Sequence, residues 1–161
     1  MDTFYLKPHH NKWFSWKEIN SCFWPGQGKR SSNINSDLSP VISMAGIYLI
    51  GWGNDLGIPT PCSEYVKYIG MTENFKNRIG QFAASSGIHY EERHDGHSAA
   101  WRWPQGMCSK MTVAFFELPK DQEKHLRQGL LHWQEALAID EYYKLYGQVP
   151  PLNLGDGEIT L

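Results

Sequence analysis

The chain of 161 residues predicts an α/β fold: a small central β-sheet of about three strands flanked by helices, behind an N-terminal Trp-rich extension. Three observations carry that prediction. Short apolar runs rich in β-branched and aromatic residues recur over 41–50, 65–70 and 111–118, with the length and composition of strands. The first two are joined by 52–65, rich in Gly, Pro, Asn and Asp, which reads as the long loop of a hairpin. The third observation is a helical pattern over 121–146, closed by Gly147 with Pro150 and Pro151 beyond, the expected C-terminal punctuation.

Length sets a single domain, with an extension over 1–40 and the main unit over 41–161. In the extension, Ser15 is placed to cap a short helix over 14–19, and the Gly/Ser/Asn-rich stretch 26–40 reads as a loop. Hydrophobic content of 41% with 20% charged residues fits a globular protein rather than a disordered chain. No run of 18 apolar residues and no signal-peptide pattern occurs, so the expectation is a cytoplasmic protein with no membrane partner. Cys22, Cys62 and Cys108 are odd in number and far apart, which predicts reduced thiols rather than a disulfide framework.

Net charge is −2, too low for a generic nucleic-acid binder, but it is uneven. Residues 1–36 carry five basic groups against Asp2 and Glu18, whereas 117–161 carry four basic against eight acidic groups. A basic arm with Trp13, Trp16 and Trp24 suits phosphate contacts and stacking, and it equally suits packing of the tryptophans on the sheet.

The remaining elements follow in order. Thr72 is placed to cap a helix over 73–84, ended by Ser85-Ser86-Gly87. A short helix over 98–103 is stopped by Pro104. The strand over 111–118 is apolar throughout, hence buried on both faces. On the last helix, Leu126, Leu130, Trp133 and Leu137 form one stripe, and Leu131, Ala138, Tyr142 and Tyr146 a second. Two apolar faces predict a largely buried helix, between the sheet and the N-terminal extension.

Within the predicted hairpin, Gly46-Ile47-Tyr48 and Tyr68-Ile69-Gly70 occur in order, with Thr72 and Arg78 following. In this arrangement the chain resembles the GIY-YIG nuclease family over roughly residues 41–153. The resemblance implies a divalent-metal-dependent DNA endonuclease using Mg²⁺ or Mn²⁺. The compact size suits a type II restriction-type enzyme acting on double-stranded DNA, as a homodimer when both strands are cut symmetrically. A non-catalytic DNA-binding module of the same fold, a repair or mobile-element nuclease and an RNA-processing nuclease stand as alternatives.

Phosphodiester hydrolysis needs an activated water, neutralisation of growing phosphate charge and help for the leaving oxygen. Tyr48 is the candidate general base, with Tyr68 orienting water or phosphate. Arg78 matches the family's helix arginine, and its planar fork of donors suits a phosphate oxygen. Lys67 is a candidate for added positive charge near Tyr48. The family's metal-binding glutamate matches Glu135 by its Ala138 and Ile139 offsets. Glu141, twelve residues before Asn153, is the rival. Asn153 matches the trailing asparagine and is expected to tie the helix end or a loop to the site. Phe82 stands where several members carry a polar residue such as histidine, which leaves that position unfilled. His97 either replaces that group or lies in a solvated loop. His89, His94, His97 and Cys108 are too irregularly spaced for a typical zinc site.

Overall fold

A computed structural model describes residues 3–26, 37–87, 96–104 and 108–154. Four strands and three α-helices form a mixed α/β structure: β1 (Phe14–Ser15), α1 (Trp16–Phe23), β2 (Gly46–Trp52), β3 (Val66–Thr72), α2 (Phe75–Ser86), β4 (Met111–Glu117) and α3 (Lys124–Tyr146). The sheet is antiparallel throughout, in the order β1-β4-β2-β3.

The fourth strand comes from the N-terminal extension. Phe14 and Ser15 pair with Val113 and Thr112 of β4, a two-residue strand too short to leave a period in the sequence. Ser15 then caps α1 through a reciprocal capping box with Glu18. Two boundaries differ from expectation. β2 begins at Gly46 because Ser39–Val41 forms a 3-10 turn. α2 is capped by Asn74, whose Oδ1 accepts from the Asn77 N–H at 2.9 Å. Thr72 instead accepts from the Asn74 N–H at 3.0 Å, bending the chain off β3. The segment expected as a short helix is a 3-10 turn, Ser98–Arg102. The loop expected over 26–40 falls mostly on 27–36, outside the described residues, as do His89 and His94.

Alternation along the strands splits the core in two. One face joins Phe14, Ile19, Phe23, Ile50, Phe75, Ile79, Phe82 and Phe115 under α1, α2 and the 98–103 turn. The other joins Ile47, Leu49, Ile69, Ala114 and Phe116 under Leu131, Ala138 and Tyr142 of α3. The expectation that α3 is buried on two faces is corrected: Leu126 and Trp133 are about half exposed, at 54% and 50%. The extension packs Trp16 and Trp24 against the opposite face of the sheet. Near α3 it contributes Phe4, Leu6 and Trp13 to the core. Among the described residues no helix is long and apolar enough to cross a membrane, and Cys22 and Cys62 are free thiols.

Candidate active site

β3 is an edge strand, and the chemistry-bearing residues gather around it. On the α2 face, Tyr48 of β2 stands directly opposite Gly70 of β3, and Tyr68 pairs with Ile50, one diagonal step away. The tyrosine rings lie 5.8 Å apart. Both glycines of the two tripeptides are dictated by close approach. A Cβ on Gly70 would sit 2.6 Å from the Tyr48 hydroxyl and from the Tyr68 ring, and one on Gly46 would meet the Phe116 carbonyl oxygen at 2.0 Å. Any side chain at position 70 would drive the two tyrosines apart.

Arg78, at the end of the first turn of α2, reaches back toward both hydroxyls. Its Nη1 donates to Gln81 Oε1 at 2.8 Å and to the Gly96 carbonyl at 3.3 Å. Burial opposes its charge, but Tyr48 and Tyr68 outweigh that and raise its pKa further. Burial pushes the Tyr48 pKa well above the ordinary tyrosine value and Tyr68 moves the same way, although Arg78 pulls both down. Both are therefore neutral phenols at neutral pH in this state. Tyr48 has no exposure at all, whereas Tyr68 is partly open. The solvent side of the cluster is formed by Tyr68, Arg78 and Glu135.

Glu135 comes from α3, on the other side of the sheet, around the open edge of β3. Its carboxylate meets the Met71 backbone N–H and lies in the field of Arg78 and His132; burial outweighs these and raises its pKa. Glu141 is elsewhere. Its Oε1 accepts from the Phe4 N–H at 2.8 Å and its Oε2 lies 3.9 Å from Cys62 Sγ, so it ties the N-terminal segment to α3. Of the two glutamates, only Glu135 joins the tyrosine cluster.

His97 is not in a solvated loop. It is 2% exposed, and its Nε2 lies 2.9 Å from the Tyr48 hydroxyl. Its ring packs on Tyr68 at 5.1 Å and on Phe82 at 5.0 Å. The Ser85 hydroxyl accepts from the His97 N–H at 3.0 Å, fixing the turn to the end of α2. Burial, with Arg78 second, depresses its pKa to about 3, so the imidazole is neutral. Its Nδ1 is buried and has no hydrogen-bond partner among the described residues. Phe82 thus supplies a wall, and a histidine from a different segment supplies the polar group.

Two candidates sit outside the cluster. Lys67 lies at the register shift between β2 and β3, and its Nζ donates to the Glu64 carbonyl at 3.4 Å. Burial lowers its pKa and Glu64 opposes this; no contact brings it to Tyr48. Asn153 clamps the edge of β3. Its Oδ1 accepts from the Ile69 N–H at 2.8 Å and its Nδ2 donates to the Ile69 carbonyl at 2.7 Å, as a neighbouring strand would. It holds the strand that carries Tyr68 and Met71.

A single carboxylate at a half-open edge suits a hydrated Mg²⁺ or Mn²⁺, which keeps several waters and takes one or two carboxylates plus substrate phosphate oxygens. Among the described residues no group of three or more His, Cys, Asp or Glu is placed to enclose a metal. No family model, curated protein or solved structure matches the chain.

Proposed function

We propose that the protein is a divalent-metal-dependent endonuclease that hydrolyses phosphodiester bonds in double-stranded DNA, of the restriction type. One observation carries the reading. Tyr48, Tyr68, Arg78 and Glu135 lie on four different elements, and the fold draws them to one sheet edge with His97 behind them. The resemblance to GIY-YIG nucleases supports the same assignment.

In this reading the scissile phosphate sits at the open side of the cluster. Arg78 binds a non-bridging oxygen and neutralises charge that grows in the transition state. Glu135 would hold the metal, which would supply further charge neutralisation and help for the leaving oxygen. Tyr68 is the less buried of the two tyrosines, and its hydroxyl contacts the attacking water. Tyr48 lies behind it and hands its proton to His97 Nε2 as the water's proton enters the tyrosine pair. The arriving phosphate offsets the positive field of Arg78, one of the two causes that hold His97 neutral, and so makes the imidazole a better acceptor.

The complete burial of Tyr48 favours a second reading, a DNA-binding module without catalysis. Incubation of plasmid or phage DNA with Mg²⁺ separates the two. The nuclease reading expects discrete fragments that chelation suppresses. DNA that is bound but left intact would favour the second reading.

A further inference from the structure

Beyond the tyrosine cluster, the residues just before β2, those just after β4 and the first turn of α3 line a half-open cavity of ≈ 280 Å³. Its wall includes Ser43, Met44, Ala45, Leu118, Lys120 and Arg127. Lys120 is exposed and Arg127 half-buried. No ion pair joins either to a carboxylate among the described residues. Among the described residues Arg127 Nη2 donates to the Gln122 carbonyl, at 3.3 Å, which uses one of its five N–H donors. Asp121 and Glu123, beside them in sequence, are exposed and do not line the cavity.

Two independent rulers place this cavity relative to the site. Ala45 precedes Tyr48 by three residues on an extended segment, about 10 Å at strand rise. Arg127 precedes Glu135 by eight residues on α3, about 12 Å at helical rise. Both run the same way, from the cavity toward the cluster. A DNA strand carries one phosphate per ~3.4 Å of helix axis and winds around that axis, so a separation of this size spans only a few nucleotides.

We propose that Lys120 and Arg127 form a subsite for a backbone phosphate of the substrate strand, a few nucleotides from the scissile bond. Ser43 lies at the polar side, and Met44, Ala45 and Leu118 offer an apolar wall to the sugar. The proposal rests on the nuclease reading and gives it a direction: the strand runs from the tyrosine cluster toward the N-terminus of α3. The contact is to backbone, so it positions the substrate without reading its sequence.

Binding of a fluorescent 20-base-pair duplex, measured in metal-free buffer over a series of salt concentrations, tests the subsite. Each phosphate contact contributes roughly 0.9 to the slope of log K against log salt. Lys120→Ala combined with Arg127→Ala should make the slope shallower by about two such contacts and weaken all sequences alike. Lys120→Arg with Arg127→Lys should restore it. Lys120→Ala alone changes only an exposed side chain, so folding is preserved, and it should remove about one contact. An unchanged slope in a parent protein that binds DNA would overturn the subsite and leave the proposed function standing. A parent protein that binds no duplex at any salt would overturn both.

Discussion

His97 and Tyr48 are 49 residues apart in the chain, and their contact has no periodic trace in the sequence. Tyr48, Tyr68 and Arg78 were legible because all three sit on one hairpin and the helix that follows, where spacing fixes geometry. His97 belongs to a turn placed by long-range packing on Phe82 and Ser85. The only hint was negative: a phenylalanine stands where a polar partner was expected. His97→Phe keeps a ring in that slot but removes the Nε2 partner of the buried Tyr48 hydroxyl, which should cost about 1–3 kcal/mol at pH 7. The pH dependence has a definite sign. The unfolded chain takes up this proton near pH 6.5, but the folded protein only near pH 3. The stability of the neutral form is complete above pH 6.5 and is lost as pH falls toward 3. Urea unfolding across that window should show a shallower acid decline for His97→Phe than for the parent. At the same scale, Gly70→Ala should lower the melting temperature, because a Cβ there overlaps both tyrosines.

At the scale of elements, the hairpin, α2, β4 and α3 were legible from apolar runs and their Gly and Pro punctuation. β1 was not, since two residues of strand carry no alternation. The choice between Glu135 and Glu141 was open in sequence because both lie on α3. The structure separates them by helical face: Glu135 faces the edge of β3, and Glu141 faces the Phe4 N–H. On the proposed nuclease reading, Glu135→Gln should abolish Mn²⁺ binding measured by calorimetry. Glu141→Gln, whose amide oxygen can still accept from Phe4, should leave it unchanged. Asn153 acts on β3 as a whole. Asn153→Ala deletes both bonds to Ile69 and should speed hydrogen exchange at the Ile69 amide. An Ile69 amide as protected as in the parent would show that this edge is held by something else.

For the whole molecule, the N-terminal segment is part of the core rather than a free arm. Leu6 and Trp13 are buried, Lys12 pairs with Glu18 at 2.7 Å, and Phe4 packs on Phe116 with ring centroids 5.2 Å apart. Removal of residues 1–12 should lower the melting temperature. Charge alone did not reveal this, because a basic segment with tryptophans fits a groove and a core equally well. The two-sided core explains how the site is assembled. Tyrosines and arginine belong to one face of the sheet, the glutamate to the other, and only the open edge of β3 lets them meet. Tyr48→Phe tests whether this meeting point performs the proposed phosphodiester chemistry. The substitution removes one buried hydroxyl and keeps the ring. With duplex binding and Mn²⁺ binding matched to the parent, the account predicts a fall in the Mg²⁺-dependent nicking rate of supercoiled plasmid of roughly 10²–10⁴-fold. Nicking by Tyr48→Phe at close to the parent rate would contradict it.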